Sequence, residues 1–160
     1  MDLCYMKTCE HTLKMAIIQC CQKIFYTPKH LSFCVDGFTS QFCEKIAPPL
    51  RSCGQSDIVV LKKLQKLEVK GSKRCIYHIR TVIGKKIMLK FEYISVTSGS
   101  KVCKFSNCSE VKLLPDKTLT GELFCGKNPR TIFLSKDYHV ILYYNLLFFS
   151  GGFKLFFRVM

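Results

Sequence analysis

The sequence predicts an all-β sandwich preceded by a short, cysteine-rich N-terminal segment of no defined fold. Three observations carry that prediction. The hydrophobic period changes to two after Pro48-Pro49, the signature of strands that bury one face. Turn-forming Gly, Pro, Asp and Ser residues punctuate the chain at short intervals, which suits several short strands. Eleven cysteines in 160 residues, without a repeated CxxC zinc pattern, read as a disulfide-bearing domain. With 48% apolar residues the chain can bury one sizeable core, plus a tail or a very small second unit.

The elements follow in order. Residues 1–52 form the N-terminal segment, in which 15–18 is the one continuous apolar run near the start, so no signal peptide is read there. A short helix is expected over 11–26, with Leu13, Ile17, Cys20, Cys21 and Ile24 on one side and the Thr27-Pro28 step ending it. Two consecutive prolines within 47–50 stiffen a connector and mark the boundary of a second unit, residues 53–160. Beyond them Cys75, Tyr77 and Ile79 alternate with Arg74, His78 and Arg80, Ile76 being the exception. Ile87, Leu89, Phe91 and Tyr93 continue the pattern, with Lys86, Lys90 and Glu92 on the other face and Met88 as the exception.

Further strands are expected over 110–114, 119–124, 131–134, 138–144 and 153–159, separated by turns at Gly84, Ser98-Gly99-Ser100, Pro115-Asp116, 126–129 and Gly151-Gly152. The greasiest stretch, 140–149, is half the length of about 20 residues that a membrane helix needs, and reads as a buried strand and a turn. No membrane-spanning segment is expected.

The net charge of +14 is uneven: residues 53–160 hold nineteen basic and seven acidic side chains. That excess attracts an anionic partner without identifying one. Most individual lysines belong to the solvated outer faces of a sandwich.

Enzymatic chemistry finds no support. Cys125, in GELFCGKNPR, has no local histidine partner among His11, His30, His78 and His139, and a thiolate nucleophile needs one. There is no GxSxG elbow, P-loop, HExxH or dinucleotide fingerprint. Cys4, Cys9, His11, Cys20, Cys21, Cys34 and Cys43 could supply zinc ligands, but their spacings match no finger or ribbon. Aromatics occur with strand periodicity and serve a core, which argues against nucleic acid. The acidic residues of the second unit are scattered, which argues against a calcium cluster. No cofactor is expected. Asn107-Cys108-Ser109 fits the N-glycosylation sequon.

An ordered set of motifs runs through the second unit: Cys53-Gly54, Cys75-Ile76-Tyr77-His78-Ile79, Gly84-Lys85-Lys86-Ile87-Met88-Leu89-Lys90-Phe91, Cys103 or Cys108, Gly121-Glu122-Leu123-Phe124-Cys125-Gly126, Ile132-Phe133-Leu134-Ser135 and Gly152-Phe153-Lys154-Leu155-Phe156-Phe157. Together they resemble a CUB domain over residues 53–160. The resemblance implies a jelly-roll-like sandwich with two disulfides, one joining Cys53 to Cys75 and one joining Cys125 to either Cys103 or Cys108. Tyr77 stands where the family usually has a core tryptophan, and its hydroxyl then needs a partner. Many CUB domains bind calcium. Of the carboxylates this requires, the chain keeps one plausible first ligand, Glu68, and has none in 104–107 or 145–149.

The function implied is a non-catalytic recognition module, secreted or on the extracellular side of a membrane as part of a larger protein. Its partner would be an extracellular protein or a sulfated or otherwise anionic glycan. Two alternatives are a non-catalytic fragment or isoform of a multidomain CUB-containing serine protease, and a small intracellular zinc-binding protein.

Overall fold

The computed structural model describes residues 25–26, 32–34, 36–40, 43–96, 107–124, 126–128, 130–146 and 151–160. Four two-residue strands come first: β1 (Phe25–Tyr26) pairs with β2 (Ser32–Phe33), and β3 (Phe38–Thr39) with β4 (Lys45–Ile46). Strand β1 occupies the last two residues of the expected helix; 11–24 lie outside the described residues. One turn of 3-10 helix, Arg51–Cys53, follows the prolines. Ten strands then build the sandwich: β5 (Asp57–Val59), β6 (Gln65–Lys70), β7 (Lys73–Arg80), β8 (Ile87–Val96), β9 (Asn107–Lys112), β10 (Glu122–Phe124), β11 (Gly126–Asn128), β12 (Thr131–Leu134), β13 (His139–Leu146) and β14 (Gly152–Val159).

The strands form two sheets. The first has the order β10-β9-β13-β7-β5, antiparallel except for the parallel pair β5/β7. The second has the order β11-β8-β14-β6, with β12 also paired to β8. Alternation does the sorting. Cys75, Tyr77 and Ile79 of β7 and Val140, Leu142, Tyr144 and Leu146 of β13 point inward and are buried against Phe153, Leu155 and Phe157 of β14. Phe91 lies at the centre of the inner layer, with ring centroids of Phe124, Phe133 and Phe153 at 5.8, 6.2 and 6.1 Å, in tilted and edge-on arrangements favoured by aromatic quadrupoles.

Two features depart from the simple period. Ile87, Leu89 and Phe91 face inward as expected, but the pairing of β8 with β14 slips between Lys154 and Leu155, leaving Glu92 as an extra residue. This bulge reverses the alternation, so Ile94 and Val96, not Tyr93, enter the core. Gly152, expected in a turn, instead opens β14. A side chain there would overlap the Val69 carbonyl oxygen on β6, so the position needs glycine for close backbone approach.

Candidate functional site

The outer face of the first sheet carries a row of residues in register across four strands: Asp57 of β5, His78 of β7, Ile141 of β13 and Lys112 of β9. The sequence put His78 on a polar outer face with Arg74 and Arg80. The face is right, yet His78 and Ile141 are fully buried and Lys112 nearly so. What covers them is the described part of the N-terminal segment. The Phe38 ring meets His78 edge-on at 4.7 Å. Gly37, with φ +73°, lies so close that a Cβ would stand 3.1 Å from both His78 Nε2 and Ile76 Cγ2. Asp36 reaches Lys112 Nζ at 3.3 Å, and Lys112 also donates to the Lys117 carbonyl at 2.9 Å. A disulfide, Cys34–Cys43, closes the loop that bears these residues.

Electrostatics follow from burial. Desolvation raises the Asp36 carboxyl above its ordinary pKa, with Lys112 opposing that shift. Desolvation likewise lowers His78, and it lowers His139 to about 4, with His78 and Lys117 as further causes. Both imidazoles are therefore neutral at pH 7. Nδ1 of His78 and Nε2 of His139 share one hydrogen bond at 3.1 Å, one ring donating and the other accepting. The ring of His78 is buried beside Gly37, and a backbone hydrogen bond at Asp36 partly opposes its desolvation. His78 lines a cavity of about 250 Å³ whose walls are mainly apolar and include Pro48, Pro49 and Leu50. The two rings also stack, with centroids 5.2 Å apart and 18° between their planes, beneath the edge-on Phe38 ring.

Cys53 and Cys75 are bonded to each other and buried, tying the 3-10 turn to β7. The Tyr77 hydroxyl donates to the Cys53 carbonyl at 2.8 Å, satisfying the group that the ring brings into the core, and burial pushes its pKa up to about 12. Cys108 is buried in β9, while Cys103 and Cys125 lie outside the described residues. Asn107 is the first residue of β9, with Leu146 of β13 opposite it in register.

Glu68, the one plausible calcium ligand, pairs with Lys66 and Lys70, each at 2.9 Å. Their hydrogen bonds hold its carboxyl down to about 2. Among the described residues no three His, Cys, Asp or Glu side chains converge in a way that would hold a metal ion. Glu68 belongs instead to the outer face of the second sheet. There Lys66, Phe156, Lys90 and Ile132 stand in one row across β6, β14, β8 and β12. Lys154 bonds Glu92 at 2.6 Å and sits over the Phe156 ring at 5.4 Å, holding that ring on the surface. The sequence placed Lys90 and Glu92 on the outer face of a strand and Ile132 and Phe156 within expected strands, and gave Lys66 no strand; only the register lines them up.

Among the described residues no helix is long and apolar enough to cross a membrane. A comparison with curated proteins finds no match. The CUB domain family matches residues 65–157, from the start of β6 to Phe157 in β14. That match covers more than half of the chain and spans the two-sheet sandwich apart from β5 and the end of β14, so the chain belongs to the CUB domain family.

Proposed function

We propose that this CUB domain is a non-catalytic recognition module of the extracellular space, taking an anionic glycan on the outer face of its second sheet. The observation that carries this reading is the row Lys66, Phe156, Lys90 and Ile132. It sets two exposed cations on either side of a partly exposed aromatic ring, about 10 Å apart at ordinary strand spacing. Cations there suit sulfate or carboxylate groups, and the ring suits the flat apolar face of a sugar. Two disulfides among the described residues support an oxidising compartment.

Retention on immobilised heparin tests the reading. The wild-type chain is expected to elute late and to move earlier as salt rises, because screened surface charges lose their reach. The K66A/K90A variant is expected to elute at clearly lower salt with an unchanged melting temperature. Equal retention of variant and wild type would exclude this face as the glycan site.

A further inference from the structure

One end of the sandwich carries a surface that glycan recognition does not use. Residues 60–64 link β5 to β6 and read Val60-Leu61-Lys62-Lys63-Leu64; residues 81–86 link β7 to β8 and read Thr81-Val82-Ile83-Gly84-Lys85-Lys86. Backbone hydrogen bonds bring the two loops to the same end. Val60 N donates to the Arg80 carbonyl at 2.6 Å, Val159 N to the Leu61 carbonyl at 3.1 Å and Met160 N to the Lys86 carbonyl at 2.9 Å.

Large aliphatic side chains are left in solvent here: Ile83 is 83% exposed and Val82 68%, and Leu61, Leu64 and Met160 are each more than half exposed. Beside them stand Lys62, Lys63, Lys85, Lys86 and Arg158, all exposed and none with an ion-pair partner among the described residues. No acidic residue occurs in 58–67, 81–91 or 153–160. In the adjoining loops Asp137 is bound by Lys117, and Asp116 accepts hydrogen bonds from Thr118.

We infer that this end of the domain docks on a membrane leaflet rich in anionic lipid, with the Val82-Ile83 and Leu61/Leu64 tips entering the headgroup boundary and the five cations meeting the lipid phosphates and carboxylates. The chemistry selects that occupant over a protein. Lysine is depleted from the cores of protein interfaces, whereas aliphatic tips flanked by lysines fit the bilayer boundary, where long cationic side chains keep their heads in water as their stems lie along apolar surface. A second copy of this chain is disfavoured because it would set five cations against five. An anionic leaflet supplies both the greasy layer and the opposite charge; such lipid is concentrated in the cytoplasmic leaflet, so for a module of the extracellular space the target is a surface on which it has become exposed.

Flotation with vesicles of phosphatidylcholine containing about 30 mol% phosphatidylserine, and with phosphatidylcholine alone, tests the inference. The wild-type chain is expected to float with the anionic vesicles and to stay behind with the neutral ones. Each lysine in contact is expected to be worth about fivefold in partitioning, so K85A/K86A should bind more than tenfold more weakly. V82S/I83D should lower partitioning by at least about tenfold while leaving the melting temperature unchanged, since both side chains lie in solvent. K66A/K90A, which alters only the glycan row, should float as wild type does, so the two sites can fail separately. Absence of flotation by the wild type would overturn the inference, as would full binding by V82S/I83D. A dimer in solution that V82S/I83D abolishes would assign the surface to self-association instead.

Discussion

Replacing both Cys53 and Cys75 by serine removes the crosslink without leaving a thiol behind. The bridge closes a loop across 22 residues of separation. In the chain-entropy treatment a loop of that length restrains the unfolded chain by about 3 kcal/mol at 25 °C. The folded state loses little else, because the Tyr77 hydroxyl still has the Cys53 carbonyl to bond and the residues above Tyr77 in the core are untouched. For a chain of this size the loss is expected to lower the melting temperature by roughly 6–12 °C. It is also expected to be local in its first effect. Strand β5 follows the bridge directly and, among the described residues, is the edge of its sheet and pairs only with β7, so its amides should exchange faster while those of β8 and β14 keep their protection. Calorimetry and hydrogen exchange read the two effects. A melting temperature within about 2 °C of wild type would refute the reasoning, since it would mean that the bridge restrains nothing the remaining contacts do not already hold.

Two other outcomes are expected. Folded His139 has a pKa lowered to about 4 and His78 is lowered too, whereas an unfolded histidine titrates near 6.5, so the unfolded chain takes up protons first as pH falls. Their contribution is complete above about pH 6.5 and is lost as pH falls toward 4; Asp36, raised by burial, works in the opposite sense near the lower limit. Melting temperature should therefore decline between about pH 6.5 and 5 in the wild type, and much less in H78Q/H139Q; parallel curves for the two would contradict the assignment. If the chain is expressed through a secretory route, Asn107 is proposed to carry a glycan, so treatment with an N-glycan amidase should lower its intact mass, whereas the mass of N107Q should not fall on treatment. An untreated mass equal to that of the bare chain would remove this site.

Local signals made much of the sandwich legible. The alternations at Cys75, Tyr77 and Ile79 and at Ile87, Leu89 and Phe91 each reported a half-buried strand, and each places those residues in the core. The bulge at Glu92 was not legible, because an unpaired residue is a property of two strands and leaves no mark on one. Strands β5 and β6 were missed for related reasons. Strand β5 pairs in parallel with a strand some twenty residues later, and the lysines of β6 mask the alternation of Leu67 and Val69. His78 read as a surface residue because polarity predicts exposure only when nothing crosses the face; here residues 36–40 do. At the candidate sites, the sequence showed cation and aromatic content, but the rows that make a surface of them come from register. The apolar end lies in two loops separated in sequence, and neither stands out until the Val60, Val159 and Met160 hydrogen bonds bring them together.

The Asp36–Lys112 contact and the Phe38 ring make the stretch before the prolines a lid over an otherwise bare stripe. An expression boundary drawn at Leu50 would strip that lid away and present His78, Ile141 and an unmatched ammonium to solvent together. Such a truncated version would be expected to stick to itself or to other chains through a face that the longer chain keeps out of sight. Recombinant versions meant for ligand work should therefore begin upstream of Cys34.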